Sequence, residues 1–299
     1  TAATGLAFAV ELTTSSITKL SGLQDGKQMQ LFVMFIIIVL IAYSVYRGLN
    51  QGIRVLSVIN ARLALLFIFF VFIVGPTTFI LEMGITSISH ISQNIIKMLT
   101  WTDPLERGNF VEQWTIFYCA WAMALGPFIG MFIAKISKGR TIREVIFGMM
   151  GWGSLGCSLF FIVLGNYALD LELTNQYSVV AHVNQLGQSS AIAAIVELLP
   201  MGSLLLVFLA IIGVIFAATT YDSASYALAA GSTKKLQANE EPQRNLRIYW
   251  AIFMGLLPSA LLFIGGLETL KTATIMASFP ILFIYILLML SMNKMLSDT

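Results

Sequence analysis

The chain has 299 residues, of which 58% are hydrophobic and only 11% charged, whereas an ordinary soluble domain is roughly 25% charged. That composition excludes a water-soluble fold and marks an integral membrane protein. Seventeen basic and fifteen acidic residues leave a net charge of +2, so nothing in the total recommends nucleic acid as a partner.

The chain opens TAATGLAFAV, already in mid-helix, with no initiator Met, no basic leader region and no cleavage site. It is read as a fragment that lacks its true N-terminus. Runs of about 20 apolar residues give one truncated span and seven full ones, near 1–20, 28–47, 61–82, 113–136, 145–167, 201–231, 248–266 and 272–293. Basic residues then set the orientation. Twelve of the seventeen, among them Arg47, Arg54, Arg62, Lys135, Arg140 and Arg247, fall at alternate ends of these spans and mark the cytoplasmic side. Lys19, Lys27, Lys97, Arg107 and Lys271 fall on the other side, with the acidic loops that carry Asp103, Glu106, Glu112, Asp170 and Glu172.

The first span contains FAVELTTSS, which places Glu11 inside an apolar run. A carboxylate in hydrocarbon costs roughly 3 kcal/mol or more, so Glu11 is expected to face the protein interior or a watery cavity. Residues 84–100, GITSISHISQNIIKMLT, are too polar to cross, yet Ile85, Ile88, Ile91, Ile95 and Met98 recur at helical spacing. A helix lying flat at the outer interface fits that pattern. His90 sits there beside serines and reads as a solvated surface residue.

The fourth span begins WTIFYCAWAMALGP, residues 114–127, with Trp114, Phe117, Tyr118 and Trp121 at spacings that put them on one helix face. An interfacial belt of aromatics ought to stop at one interface, but Trp121 lies about two turns inward from Glu112. An aromatic face at that depth suits a cation whose charge is covered by methyl groups, because such a cation cannot be hydrogen-bonded and the indole face is its best partner. The fifth span carries Gly148, Gly151, Gly153 and Gly156, a thinned surface that predicts close approach of a neighbouring helix. Pro76, Pro127, Pro258 and Pro280 are expected to interrupt their helices. Cys119 and Cys157 lie in apolar runs, where a free thiol behaves as a small hydrophobe. In the sixth span FAATTYDSAS surrounds Asp222 with Thr219, Thr220, Ser223 and Ser225. Two readings stand there, a hydrogen-bonded knot of hydroxyls and a site for a small alkali cation with hard oxygen ligands. No phosphate loop, metal-ligand cluster or triad spacing argues for an enzyme.

The run WTIFYCAWAMALGPFIGMFIAKISKGRTIRE, residues 114–144, resembles the signature helix and following loop of the betaine/choline/carnitine transporter family. GLNQGIRVLSVINARLALLFIFFVFIVGPT and FAATTYDSASYALAAGST resemble the family's preceding span and its tenth helix. The resemblance implies helices five to twelve of a twelve-helix, all-α membrane protein with a leucine-transporter-type core of two inverted repeats. It also implies a homotrimer in the bacterial cytoplasmic membrane, with the helix at 84–100 taking part in subunit contacts.

The family's signature reads roughly WTxFYWAWWxxW, so Trp121 matches a box tryptophan while Cys119, Ala122 and Leu125 stand where the family usually has Trp. With Tyr118 and Phe117 these positions make the implied substrate site. The box is either completed by rings from the fourth helix or shaped for a bulkier solute. The implied substrate is a quaternary ammonium or related onium compound of the glycine betaine, choline, carnitine or dimethylsulfoniopropionate type. The resemblance implies a sodium site at Thr219, Thr220 and the carbonyl of Phe216, and a second ion site at Thr1, Thr4 and Phe128. Asn60 stands where sodium-independent exchangers carry Arg, which favours sodium symport. No cofactor is expected beyond the coupling ion. Glu11 stands where the family suggests Gln, so proton coupling through Glu11 or Asp222 is the alternative ion reading. A sensor or channel that keeps the fold without coupled transport is the alternative function.

Overall fold

The computed structural model describes residues 2–23, 26–47, 50–105, 108, 110–234 and 242–297. The described chain is helical, and its apolar sequence explains why: with no water to satisfy backbone N–H and C=O groups in hydrocarbon, a spanning segment must bond within itself. In chain order the helices are α1 (Ala2–Ser21), α2 (Lys27–Arg47), α3 (Asn50–Val74), α4 (Thr77–Thr100), α5 (Phe117–Ile136), α6 (Ile142–Phe160), α7 (Asn166–Leu173), α8 (Val179–Leu186), α9 (Gln188–Glu197), α10 (Gly202–Gly231) and α11 (Arg244–Ser297). Wider π-helical turns, Val111–Ile116 and Phe161–Gly165, lead into α5 and α7. Among the described residues, four stretches are long and apolar enough to cross a membrane: Val55–Val74, Ile142–Leu173, Gly202–Gly231 and Glu268–Met295. Lys27–Ala42 is a shorter apolar helix.

Two apolar cores share α10. One joins α1, α2, α10 and α11 through Val10, Met34, Ile37, Ile41, Tyr221 and Met254. The other joins α3, α4, α7, α9 and α10 through Phe67, Val71, Ile80, Tyr167, Val196 and Leu206. At mid-length α10 meets α1 so closely that a Cβ on Gly213 would lie 2.7 Å from Thr13 Oγ1. The turn from α9 into α10 is equally tight, for a Cβ on Gly202 would lie 2.1 Å from the Glu197 carbonyl oxygen.

Several sequence expectations change. Only Pro76 ends a helix: the chain breaks between α3 and α4, where the Thr77 hydroxyl donates to the Phe72 carbonyl at 2.8 Å. Pro127, Pro258 and Pro280 lie inside continuous helices, each of which accommodates the missing N–H instead of stopping. The expected span 61–82 therefore straddles the α3/α4 break. The segment 84–100 is the distal part of α4, in which Ile85, Ile88, Ile91, Ile95 and Met98 are exposed. The glycines of α6 approach nothing, since an added Cβ at Gly148, Gly151, Gly153 or Gly156 would meet no atom within 4 Å among the described residues. What holds α6 at its start is local. Thr141 and Glu144 form a reciprocal capping box, the Glu144 N–H donating to Thr141 Oγ1 at 3.3 Å and the Thr141 N–H donating to Glu144 Oε2 at 2.9 Å.

The last two expected spans form one 54-residue helix. Straight, it would reach about 81 Å, against a hydrocarbon core of about 30 Å. Its two halves have different neighbours. Gly255 packs on Ile38 and the Ser259 hydroxyl donates to Met34 sulfur, so this half runs against α2. Thr274 shares a 2.8 Å hydrogen bond with Thr4, and Lys271 lies beside Phe8, so the later half runs against α1. α11 therefore packs on α2 through Gly255 and Ser259 and on α1 through Lys271 and Thr274.

Candidate functional site

The aromatic run of α5 forms a ladder. Trp114 stacks on Tyr118 with centroids 5.9 Å apart and planes 20° apart, and Tyr118 meets Trp121 edge-on at 6.4 Å. Phe117 touches Tyr118 at 5.3 Å but turns inward, 2% exposed, while Tyr118 is 51% exposed. The four rings thus do not share one face as α-helical spacing predicts. Trp114 stands in the π-helical turn, whose extra residue per turn shifts it relative to the rings after Phe117. Of the other implied substrate positions, Cys119 and Ala122 are exposed and Leu125 is half-buried. Cys119 borders an apolar cleft of about 420 Å³ that α5 shares with Ile275, Met276, Phe279 and Leu282 of α11.

A cation already lies against this ladder. Lys271, 6% exposed, places Nζ 5.0 Å from the Trp114 ring centroid and 5.9 Å from those of Phe8 and Phe117. Its ammonium also donates to Glu268 Oε1 at 2.9 Å. Sequence reading treated Lys271 as an outer loop charge. The spacing of Glu268 and Lys271, three apart beside an apolar run, is the signal that could have drawn it inward.

At the implied sodium site the structure brings oxygens together on α10. Thr219 Oγ1 donates to the carbonyls of Ile215 at 2.9 Å and Phe216 at 3.1 Å, with half-buried Thr220 next in line. These hard oxygens suit an alkali cation in kind. The Phe216 ring itself is exposed. Asp222 lies one turn further along. Ser223 and Ser225 donate to the backbone carbonyls of Thr219 and Asp222 at 2.9 and 2.8 Å. Asp222 Oδ1 accepts from Arg247 Nη2 of α11 at 3.2 Å, with both side chains buried and the guanidinium 5.3 Å from the Tyr226 ring.

Thr4 of the implied second ion site is fully buried against Thr274. Thr1 and the side chain of Phe128 lie outside the described residues. Glu11 accepts a hydrogen bond from Ser189 Oγ at 3.4 Å. The neighbouring Ser190 hydroxyl meets His182 Nε2 at 3.0 Å, and His182 Nδ1 meets the Tyr177 hydroxyl. Burial pushes the Tyr177 phenol above its usual pKa, with Glu197 adding to the rise and Lys19 opposing it, so the hydroxyl keeps its proton at neutral pH. His90 is exposed on α4, its carbonyl capped by Asn94 Nδ2 at 3.0 Å.

The family model for betaine/carnitine/choline transporters matches residues 2–299. The chain belongs to the betaine/carnitine/choline transporter family. Members of this family are transporters and not enzymes, and the chain is an all-α, multi-pass membrane protein. It is 35% identical over 272 residues to the "Uncharacterized transporter YeaV" of Escherichia coli K12, a match covering 91% of this chain and 56% of that protein. It is 34% identical over 276 residues to the "Carnitine transporter" of Acinetobacter baumannii, covering 92% of this chain and 50% of that one. The chain spans about half the length of the curated relatives it matches.

Proposed function

We propose that the chain belongs to a secondary transporter that moves an onium solute across the bacterial cytoplasmic membrane by sodium symport. The observation that carries this reading is the ladder from Trp114 through Tyr118 to Trp121, a run of π faces with a cationic group held against its outer end. Such faces favour a cation shielded by methyl groups, each contact contributing about 0.5–2 kcal/mol. The carnitine-transporting relative places carnitine in the solute panel beside glycine betaine, choline and dimethylsulfoniopropionate. The cluster of Ile215, Phe216 and Thr219 oxygens supports sodium as the coupling ion. In this reading two inverted repeats carry alternating access, and α4 lies at the outer interface and joins three copies.

A second ion reading has its own support. Glu11 of α1, Ser189 and Ser190 of α9 and His182 of α8 place polar groups in succession, bonded in the pairs Glu11–Ser189 and Ser190–His182, which supports a proton reading. The deciding experiment is uptake of the four labelled solutes by the full-length protein in proteoliposomes under a sodium gradient, a proton gradient or neither. Concentrative, sodium-dependent uptake that fails in Trp121→Ala is the expected result. Uptake driven by protons alone and lost in Glu11→Gln replaces sodium with the second reading. No concentrative uptake of any onium compound leaves a sensor or channel with this fold.

A further inference from the structure

Lys271 is a buried cation to which the transport reading gives no role of its own. Its ammonium is enclosed by one ring from each of three elements, Phe8 of α1, Trp114 of the π-helical turn and Phe117 of α5. Three aromatic faces around one ammonium are the chemical arrangement that recognises methylated amines. Here the cage holds the protein's own side chain.

We propose that Lys271 is a tethered competitor which occupies the aromatic cage and sets how strongly a solute cation can enter it. The structure shows the caged state, with Nζ over the three rings and 2.9 Å from Glu268 Oε1. In the released state of the proposal the ammonium stays paired with that carboxylate, which is 75% exposed, and moves out into solvent. The cage also opens onto the ladder, because Trp114 stacks on Tyr118, which contacts Trp121. A solute cation approaching Trp121 along these rings meets Lys271 first. Its apparent affinity is then lowered by the fraction of time the side chain leaves the cage free. No covalent step is involved; one cation replaces another on the same faces. The inference rests on the onium reading for the class of solute and on the three rings around Nζ for the cage.

The test titrates tryptophan emission of the full-length protein with tetramethylammonium, a probe that carries the cationic group alone. Lys271→Gln and Lys271→Met should bind it about tenfold more tightly than the wild type, whereas Lys271→Arg, which keeps a cation in place, should bind as the wild type does. Adding Trp114→Ala to Lys271→Gln should remove the gain. A second measurement needs no variant: amine-reactive labelling of Lys271 should rise several-fold at saturating tetramethylammonium, as the side chain leaves the rings. Equal or weaker binding by the neutral variants, a gain that survives loss of Trp114, or labelling that does not respond to the probe would each overturn the proposal. Tight tetramethylammonium binding by Lys271→Gln without onium uptake would keep the tethered competitor and discard the transport reading. Sodium-driven uptake with no effect of Lys271→Gln would do the reverse.

Discussion

Asp222 and Arg247 are 1% and 4% exposed and face each other at 3.2 Å under the Tyr226 ring. Breaking such a pair strands one charge, which costs about 3–5 kcal/mol, while replacing both partners costs far less. Arg247→Ala should therefore lower the thermal midpoint of the detergent-solubilised full-length protein sharply, and Arg247→Met with Asp222→Asn should recover most of the loss. A single variant that melts with the wild type would show the pair to be idle. The sequence exposes only half of this contact. Asp222 stands out as a carboxylate in an apolar run, but Arg247 is indistinguishable from the loop cations that orient the spans. Charge bias reports how deep a residue lies and is blind to which neighbour its side chain reaches. Lys271 escapes notice for the same reason, as does Phe8, one apolar residue among many until Lys271 lies against it.

Helix content follows directly from the apolar runs, but helix boundaries do not. Hydropathy cannot distinguish a π-helical turn from an α-helical one, so the rings of the fourth span were expected on one face and are divided between the interior and the surface. Nor can it separate glycines that a neighbour touches from those it does not. Gly255 packs on Ile38, where a Cβ would lie 2.6 Å from Cδ1, whereas nothing stands within 4 Å of a Cβ on Gly153. Overpacking of that kind costs about 1–3 kcal/mol. Gly255→Ala should accordingly destabilise the protein and Ile38→Ala should rescue it, as read in a double-mutant melting cycle. Gly153→Ala should lose nothing and gain up to about 1 kcal/mol of helix propensity. Equal losses at both glycines would mean that packing on α2 does not set the difference.

At the scale of the molecule, the contacts of α11 tie the two ends of the chain together. Thr274 lies against Thr4 with hydroxyls 2.8 Å apart. In a background with Cys119 and Cys157 replaced by Ser, Thr4→Cys with Thr274→Cys should form a disulfide on mild oxidation, detected as loss of thiol labelling and recovery with reductant. Two thiols that stay free would show that α11 does not pack on α1 at this point. The two spans of this helix are readable in the sequence, as is their order, while the pairing of the second with α1 depends on contacts between residues 270 positions apart.

The close approach at Gly213 has a mechanical consequence. Two packed cores grip α10, one on each side of it, and α1 bears on the helix at a point without a side chain. Were α10 to tilt as a rigid body, that point would be its fulcrum. A tilt of about 5° there would move the end at Gly231, about 27 Å away, by about 2 Å, and the shorter arm toward Gly202 would swing the opposite way. A displacement beside the Thr219 oxygens would then arrive with reversed sign at the α9/α10 turn.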